Sequence, residues 1–366
     1  PDGQGLQPVE LRRYTPVAGA TAGWTGPDGA IHPLTVGSDI TVCAATNDGR
    51  ASIRDAGVVF VGHGIFAPER QWDDYGDLDV RGKVVVVVAG EPDGDLFNGE
   101  YATNYQSGAY KADEAFRRGA VGIITLVMAP GSSPIWQGAV RGNTRTRTLT
   151  PGAADLEFSG AVNHDLAALW ATAAGLDIRQ LPNFADGAFR ALALDGVTLS
   201  VEAAETIDTL VTHNLLARIP GTEHPDETII YSAHWDHVGG AAQHPGAQGD
   251  AIWNGAWDNA SGTVGVVEMA RQLSAAPRPK RSIVFAHMAA EEMGLLGAYG
   301  YAADPVWPLE TTVADINIDM LPLSGPTRDL AIFGRGHNDL EDRLGVLAAA
   351  EGRVVTDDRE PEQGFY

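Results

Sequence analysis

Residues 228–239 read Thr-Ile-Ile-Tyr-Ser-Ala-His-Trp-Asp-His-Val-Gly, and they indicate the fold class most clearly. Its first half is apolar and β-branched, which predicts a strand from Thr228 to Ala233. Its second half places His234 and Asp236 directly after that strand. Open α/β sheets hold their functional side chains at the carboxyl ends of strands, so this stretch predicts a site at such an edge.

Helix and strand patterns alternate downstream of this stretch. The predicted helices are Thr263 to Leu273, with Ser261 as a possible cap, then Gly294 to Ala303 and Asp339 to Ala350; the predicted strands are Ser282 to Met288, Thr311 to Ile318 and Leu330 to Phe333. This βαβα order predicts an α/β fold with a mostly parallel sheet flanked by helices.

Polar clusters stand at the ends of four of these elements. They are Ala233 to Gly239, Trp257 to Gly262, Ala290 to Gly294 and Asn317 to Asp319. Three of the clusters follow strands, and the one that begins at Trp257 opens a helix on the same edge. We therefore expect all four to converge in space.

The side chains in these clusters suit a pair of divalent metal ions. One imidazole with several carboxylates fits zinc, with cobalt or manganese as possible substitutes. A two-metal site needs a carboxylate that bridges ions about 3.5–4 Å apart, and Asp258 is the best candidate. Glu291 and Glu292 are adjacent at a strand end and point to opposite sides. One of them can bind metal while the other takes a proton from a bound water.

The clusters in combination resemble the di-zinc aminopeptidase family, which includes bacterial leucyl aminopeptidases, glutamate carboxypeptidase and the catalytically inert transferrin receptor. The resemblance implies a zinc exopeptidase fold and two Zn²⁺ ions per full-length subunit. It implies that His234 binds one zinc, that Asp258 bridges both, and that Glu292 and Asp319 are terminal ligands. A fifth ligand, a histidine, is expected beyond Tyr366.

The same resemblance assigns two further roles. Glu291 matches the general base, and Asp236 matches the carboxylate that orients His234. The implied activity is hydrolysis of N-terminal residues from peptides by a metal-activated bridging water. The alternatives are a carboxypeptidase or a glutaminyl cyclase of the same fold, or an inert receptor-like homologue. The intact set of ligand candidates argues against the inert alternative.

The first half of the chain has a different pattern. Its predicted elements are strands Val58 to Val61, Lys83 to Ala89 and Val121 to Val127 and a helix Gly108 to Arg118, while Gly131 to Pro151 is predicted to be a solvated loop. The single cysteine, Cys43, excludes an intramolecular disulfide and is predicted to be buried in a strand.

Segments of this first half resemble the protease-associated domain that is inserted in many bacterial members. They are Phe60 to Gly64, Ala67 to Glu69, Trp72 to Tyr75 and Asp79 to Lys83. We therefore expect an N-terminal piece of the catalytic domain or a linker at 1–40, a β-rich α+β insertion at 41–195, and the catalytic domain at 196–366, with its C-terminal end missing. Members with this insertion are usually exported, so the expected location is periplasmic or secreted.

Composition restricts the partners. The formal net charge is −23, from 48 acidic and 25 basic residues, and such a field repels nucleic acid and anionic membranes. It favours cationic ligands such as a peptide amino terminus, or serves solubility alone. We expect peptide substrates and no membrane span, because no run of about 18 apolar residues occurs.

Other residue types near the clusters have two interpretations. His237 and His287 are assigned structural places, and His337 is assigned to a loop. Trp235, Trp253 and Trp257 either line a substrate pocket or pack in the core.

Overall fold

The computed structural model describes residues 5–92, 94–97, 103–151, 156–177, 191–240, 252–323, 325–332 and 339–356. The chain divides into two compact units. The first unit consists of Pro1–Arg13, Thr148–Pro151 and Asp208–Pro326; the second consists of Tyr14–Arg147, Gly152–Ile207 and Thr327–Tyr366.

The strands follow in chain order. They are β1 (Leu6–Pro16), β2 (Thr21–Thr25), β3 (Ile31–Leu34), β4 (Ile40–Ala44), β5 (Arg50–Phe60), β6 (Phe66–Ala67), β7 (Trp72–Asp73), β8 (Val84–Val88), β9 (Gly122–Val127), β10 (Arg147–Leu149), β11 (Phe158–Asn163), β12 (Leu192–Ile219), β13 (His224–His234), β14 (Arg281–Met288), β15 (Thr312–Asn317), β16 (Asp329–Ala331) and β17 (Val354–Thr356).

The α-helices of the described residues lie between these strands. They are α1 (Gly108–Arg117), α2 (Pro134–Asn143), α3 (His164–Ala173), α4 (Ala260–Ala275), α5 (Leu296–Ala303) and α6 (Leu340–Ala350). Among the residues that the structure describes, no helix combines the length and the apolar character that crossing a membrane requires.

The sheet of the first unit runs in the order β15-β13-β14-β12. Strand β13 is parallel to both β14 and β15, and β12 is antiparallel to β14. On one face Val266 of α4 packs with Phe285 of β14, and on the other Tyr301 of α5 packs with Val284. The predicted α/β class, a mostly parallel sheet flanked by helices, is confirmed.

The second unit has its own sheet, in the order β12-β5-β8-β9-β11-β4. Strands β5, β8, β9 and β11 are parallel neighbours, and β12 and β4 are antiparallel at the two ends. Its core contains buried valines of β8 and the fully buried Phe158 and Trp170. Cys43 is buried in β4, as predicted. The identification of this unit as a protease-associated domain stays a prediction.

The extent of the units differs from the predicted ranges. Strands β2 and β3, within 14–40, belong to the second unit because β2 pairs with β12. Strand β12 runs without interruption across the predicted boundary at 195. The boundaries at 41 and 195 stay predictions.

The loop prediction for Gly131 to Pro151 was wrong, because α2 and β10 lie there. The side chain of Ser133 accepts the N–H of Ile135, and Pro134 begins the helix. Trp136 is fully buried and donates its indole N–H to the carbonyl oxygen of Ser38 at 2.7 Å. Because a single buried side chain, that of Trp136, holds this helix in place, its sequence shows no helical repeat of apolar residues.

Candidate metal centre

Chain segments that are far apart in sequence bring the predicted site residues to one edge of the first unit's sheet. His234 ends β13, Asp258 precedes α4, and Asp319 follows β15. The imidazole Nε2 of His234 lies 3.0 Å from a carboxylate oxygen of Asp258 and 3.6 Å from one of Asp319. These three residues form a group whose ligand atoms lie within 4.8 Å of one another.

The orientation of the His234 ring suits metal binding. Its Nδ1 lies 3.1 Å from the main-chain oxygen of Asp236, and a carbonyl oxygen only accepts, so Nδ1 carries the proton. In the neutral ring, the form that binds a metal ion, Nε2 is therefore the acceptor nitrogen. Within the described part of the chain this buried Nε2 has no hydrogen-bond partner. A buried acceptor that faces carboxylates without a shared proton is the arrangement that a cation would complete.

A second group of potential ligands lies beside the first. It consists of His237, Asp258 and Glu292, again with ligand atoms within 4.8 Å of one another. Asp258 belongs to both groups, which is where a bridging carboxylate has to be. The structure thus brings together all four predicted ligands, and it adds His237, which the sequence had assigned a structural place.

Glu291 is placed beside this centre and outside both groups. Its carboxylate lies 3.8 Å from Nε2 of His234. Burial raises the pKa of Glu291; the charge of His234 lowers it, and Glu292 and Asp319 raise it further, so the net pKa is above the usual range. Burial alone lowers the pKa of His234, but the charges of Glu291 and Asp319 outweigh it and raise that pKa.

Asp236 holds the main chain of the glutamate pair. Its Oδ1 accepts the N–H of Glu291 at 3.0 Å, and its Oδ2 accepts the N–H of Glu292 at 3.3 Å. Its carboxylate lies 3.8 Å from Nδ1 of His234, which is bonded instead to the main-chain oxygen of the same residue. The orienting role that the family resemblance implies for Asp236 stays a prediction.

Asn259 fastens the start of α4 to the segment that carries Asp319. Its Oδ1 accepts the N–H of Gly262 at 2.9 Å and caps the helix, so Ser261 is not the cap. The same Oδ1 accepts the N–H of Met320 at 3.3 Å, and Nδ2 donates to the oxygen of Ile318 at 2.9 Å. Asn259 is almost completely buried, and no local sequence pattern indicates these distant partners.

The tryptophans at this edge are not core residues. Trp235 and Trp257 are 48% and 50% exposed, so core packing does not account for them. Their indole N–H groups donate to the main-chain oxygens of His213 and Leu321, at 3.1 Å and 2.9 Å. Trp253 is 49% exposed. His337 lies outside the described residues.

The donor chemistry of the two groups fits zinc. The first group offers one imidazole and two carboxylates; the second offers the shared Asp258 and Glu292, with the imidazole of His237 beside them. Zinc accepts nitrogen and oxygen ligands of these kinds. The predominance of carboxylates also admits manganese or cobalt. The residues present can therefore hold divalent ions at this edge of the sheet.

Comparison with known proteins identifies the same region. Residues 214–366 match the model of Peptidase family M28. Over 168 residues the chain is 32% identical to "Aminopeptidase NAALADL1" of Mus musculus, an alignment that covers 44% of this chain and 20% of that protein. Over 107 residues it is 38% identical to a "Probable zinc metalloprotease" of Pyrenophora tritici-repentis (strain Pt-1C-BFP), covering 29% of this chain and 24% of that protein.

Two further similarities are to another curated protein and to a solved structure. A "Probable glutamate carboxypeptidase" of Arthroderma benhamiae (strain ATCC MYA-4681 / CBS 112371) is 33% identical over 149 residues, covering 39% of this chain and 18% of that protein. The solved structure "Aminopeptidase from Aneurinibacillus sp. strain AM-1" aligns with a TM-score of 0.44 and 19% identity, covering 96% of this chain and 69% of that one.

The matched curated relatives are much longer than the matched region, which spans about a fifth of the mouse protein. The family match includes His234, Asp258, Glu291, Glu292 and Asp319. Over residues 214–366, the part that carries the candidate metal centre, the chain is similar to peptidase family M28.

Proposed function

We propose that the protein is a two-zinc aminopeptidase that removes residues from the amino termini of peptides. The observation that carries this proposal is the position of Asp258, shared by one group with His234 and Asp319 and another with His237 and Glu292. One carboxylate common to two groups is the arrangement that a pair of ions about 3.5–4 Å apart requires.

Zinc ions bound there would supply Lewis acidity, polarising the scissile carbonyl and lowering the pKa of a water to about 7. In the proposed reaction Glu291 accepts the proton of the attacking water and delivers it to the leaving amine nitrogen. Its carboxylate lies 3.8 Å from Nε2 of His234 and outside both ligand groups, which leaves it free to take and give a proton. Asp236 keeps the main chain of Glu291 fixed through this exchange.

The charge of the site favours an amino terminus over a carboxyl terminus. The carboxylates of Asp236, Asp258, Glu291, Glu292 and Asp319 carry five negative charges, and two divalent ions carry four positive ones. Counted over these five described residues, the loaded site is net negative, which attracts an ammonium group and repels a carboxylate. This balance supports aminopeptidase activity over the carboxypeptidase alternative.

Trp235 directly follows His234, and Trp257 directly precedes Asp258; both side chains are about half exposed. Their indole rings are tethered at the N–H and leave apolar surface accessible. We propose that the two indole rings line the place where a substrate side chain binds. The polar N–H edge of each ring is held by its hydrogen bond, and the apolar face is free to contact the substrate.

A matched pair of peptides tests the proposal. One has a free amino terminus and an amidated carboxyl terminus; the other has an acetylated amino terminus and a free carboxyl terminus. With zinc added, we expect cleavage of the first only, loss of activity on chelation, and recovery on adding zinc back. Cleavage of the second peptide only would establish a carboxypeptidase, and cleavage of neither by the zinc-loaded protein would support the inert alternative.

A further inference from the structure

His237 makes a short, specific contact with Glu292. Its Nδ1 lies 2.6 Å from Oε1 of Glu292, and the two side chains are only 21% and 19% exposed. An ionised carboxylate has only acceptor atoms, so Nδ1 is the donor. Hydrogen bonds to an ionised acceptor are about twice as strong as neutral ones. His237 therefore fixes Oε1 of Glu292 by a hydrogen bond and leaves Oε2 of Glu292 to bind a metal ion.

The length of this contact distinguishes a hydrogen bond from a pair of ligands on one ion. Two ligand atoms on a tetrahedral zinc, each about 2.0–2.2 Å from it, lie roughly 3.3–3.6 Å apart. The atoms of the first group, at 3.0 and 3.6 Å from Nε2 of His234, are close to that spacing. The 2.6 Å contact between His237 and Glu292 is shorter than that spacing and lies nearer to the about 2.7–2.9 Å of a charge-assisted N–H···O hydrogen bond.

The imidazole of His237 is itself held in place by main chain. Gly255 has φ of 60°, and a Cβ built there would lie 2.8 Å from Cγ of His237 and 2.6 Å from the main-chain oxygen of Asp258. The oxygen of Gly255 accepts the N–H of Ala260 in the first turn of α4 at 2.9 Å. The backbone that precedes Asp258 thus packs closely on the ring that bonds Glu292.

We propose that His237 is a positioning residue that fixes Glu292 as a ligand and so sets the affinity of the second metal ion, the one between Asp258 and Glu292. With Asp236 holding the main chain of Glu292 and His237 holding Oε1, the carboxylate has one remaining oxygen to offer. This inference rests on the proposed two-metal site.

Two variants of similar size separate the possible roles. In His237→Asn the amide nitrogen, near the place of Nδ1, can still donate a hydrogen bond but offers no imidazole nitrogen to a metal. In His237→Leu the side chain has a similar branched shape and no donor. His224→Asn, at an exposed histidine of the same unit, is the matched control.

The experiment titrates the metal-free full chain with Zn²⁺ and, in parallel, with Co²⁺, following heat and the visible absorption of cobalt. The wild type is expected to bind two equivalents. Loss of an outer hydrogen-bond partner typically costs about 10–100-fold in metal affinity, so His237→Leu should weaken the second equivalent by that factor and leave the first unchanged. His237→Asn should restore the second equivalent to near the wild-type affinity with an unaltered cobalt spectrum.

The other outcomes overturn the inference in distinct ways. Equal weakening in both variants, with a cobalt spectrum that shows a lost ligand, would make His237 a metal ligand. Wild-type affinities in both variants would show that the hydrogen bond does not position Glu292. Binding of one equivalent by the wild type would overturn the two-metal proposal itself, and this inference with it. The first equivalent reports on folding within each titration.

Discussion

The main-chain N–H of Glu291 donates a 3.0 Å hydrogen bond to the carboxylate of Asp236. Because Glu292 donates to the other oxygen of the same carboxylate, the ends of β13 and β14 are tied together at the site. The side chain of His237 then holds Glu292 from the same segment. Residues 234–237 thus supply one proposed ligand, His234, and two side chains, of Asp236 and His237, that hold the glutamate pair in place.

Replacing Asp236 by Asn is expected to weaken the main-chain hydrogen bonds that hold Glu291 and Glu292 in place. The amide of asparagine has one acceptor oxygen, so one of the two main-chain N–H groups would face its NH₂ group, which cannot accept a hydrogen bond. Outer-shell changes of this kind typically cost about 10–100-fold in metal affinity or activity. Metal titration and kcat/KM for an aminoacyl anilide measure the effect, and the exposed Asp226→Asn serves as control. Unchanged metal affinity together with unchanged kcat/KM in Asp236→Asn would refute the supporting role.

Glu291→Gln is expected to retain metal and lose turnover. Glutamine matches the shape of glutamate and cannot accept the proton, so the loss should appear in kcat and not mainly in KM, by about 10²–10⁴-fold. Metal content by mass spectrometry and kcat on an aminoacyl anilide are the two readouts, with the exposed Glu310→Gln as control. If Glu291→Gln kept near-normal kcat while Glu292→Gln abolished it without losing metal, the two roles would be reversed.

Two glycines of α4 should respond to alanine in opposite ways. A Cβ at Gly262 would lie 2.3 Å from Oδ1 of Asn259 and 2.3 Å from the oxygen of Ile318. Such overpacking typically costs about 1–3 kcal/mol, against a helix-propensity gain of about 1 kcal/mol. At Gly265 the nearest atom is the flexible Cδ1 of Leu321 at 3.2 Å. Denaturant unfolding of the metal-free chains should show Gly262→Ala destabilised and Gly265→Ala unchanged or stabilised. Equal stability of the two variants would contradict the close approach at Gly262.

Asp74, in the second unit, gives a pH dependence of stability. Burial raises its pKa from 3.8 to about 6, while its Oδ2 accepts the N–H of Ile65. The folded chain therefore keeps this proton up to about pH 6, whereas the unfolded chain loses it near 3.8. Because the folded state binds more protons in that window, this group lowers stability as pH rises from about 4 to about 6, by about 1–3 kcal/mol.

In Asp74→Asn this contribution disappears, and the amide oxygen can still accept from Ile65. The wild type loses about 1–3 kcal/mol of stability between pH 4 and pH 7 through this group, and Asp74→Asn should not. Relative to its value at pH 4, the unfolding free energy of Asp74→Asn at pH 7 should therefore be higher than that of the wild type by this amount. The exposed Asp77→Asn should follow the wild type. Identical pH profiles for the wild type and Asp74→Asn would contradict the raised pKa.

The fold and the proposed ligands could be predicted because their signals are local. The apolar run of β13 and its abrupt end in His234 are contiguous in sequence, and so is the apolar run of β14 before Glu291. His237 could not be identified in this way, since its partner Glu292 is 55 residues away. Asn259 likewise acts on residues 59 and 61 positions away. Hydrogen bonds between distant loops leave no period or motif from which to infer them.

The most direct test of the account is a crystal structure of the zinc-loaded chain with anomalous scattering measured at the zinc edge. The account predicts two peaks about 3.5–4 Å apart, with Asp258 between them. It further predicts His234 and Asp319 at one peak and Glu292 at the other, with Glu291 ligating neither. A single peak, or two peaks without Asp258 between them, would contradict the two-metal site.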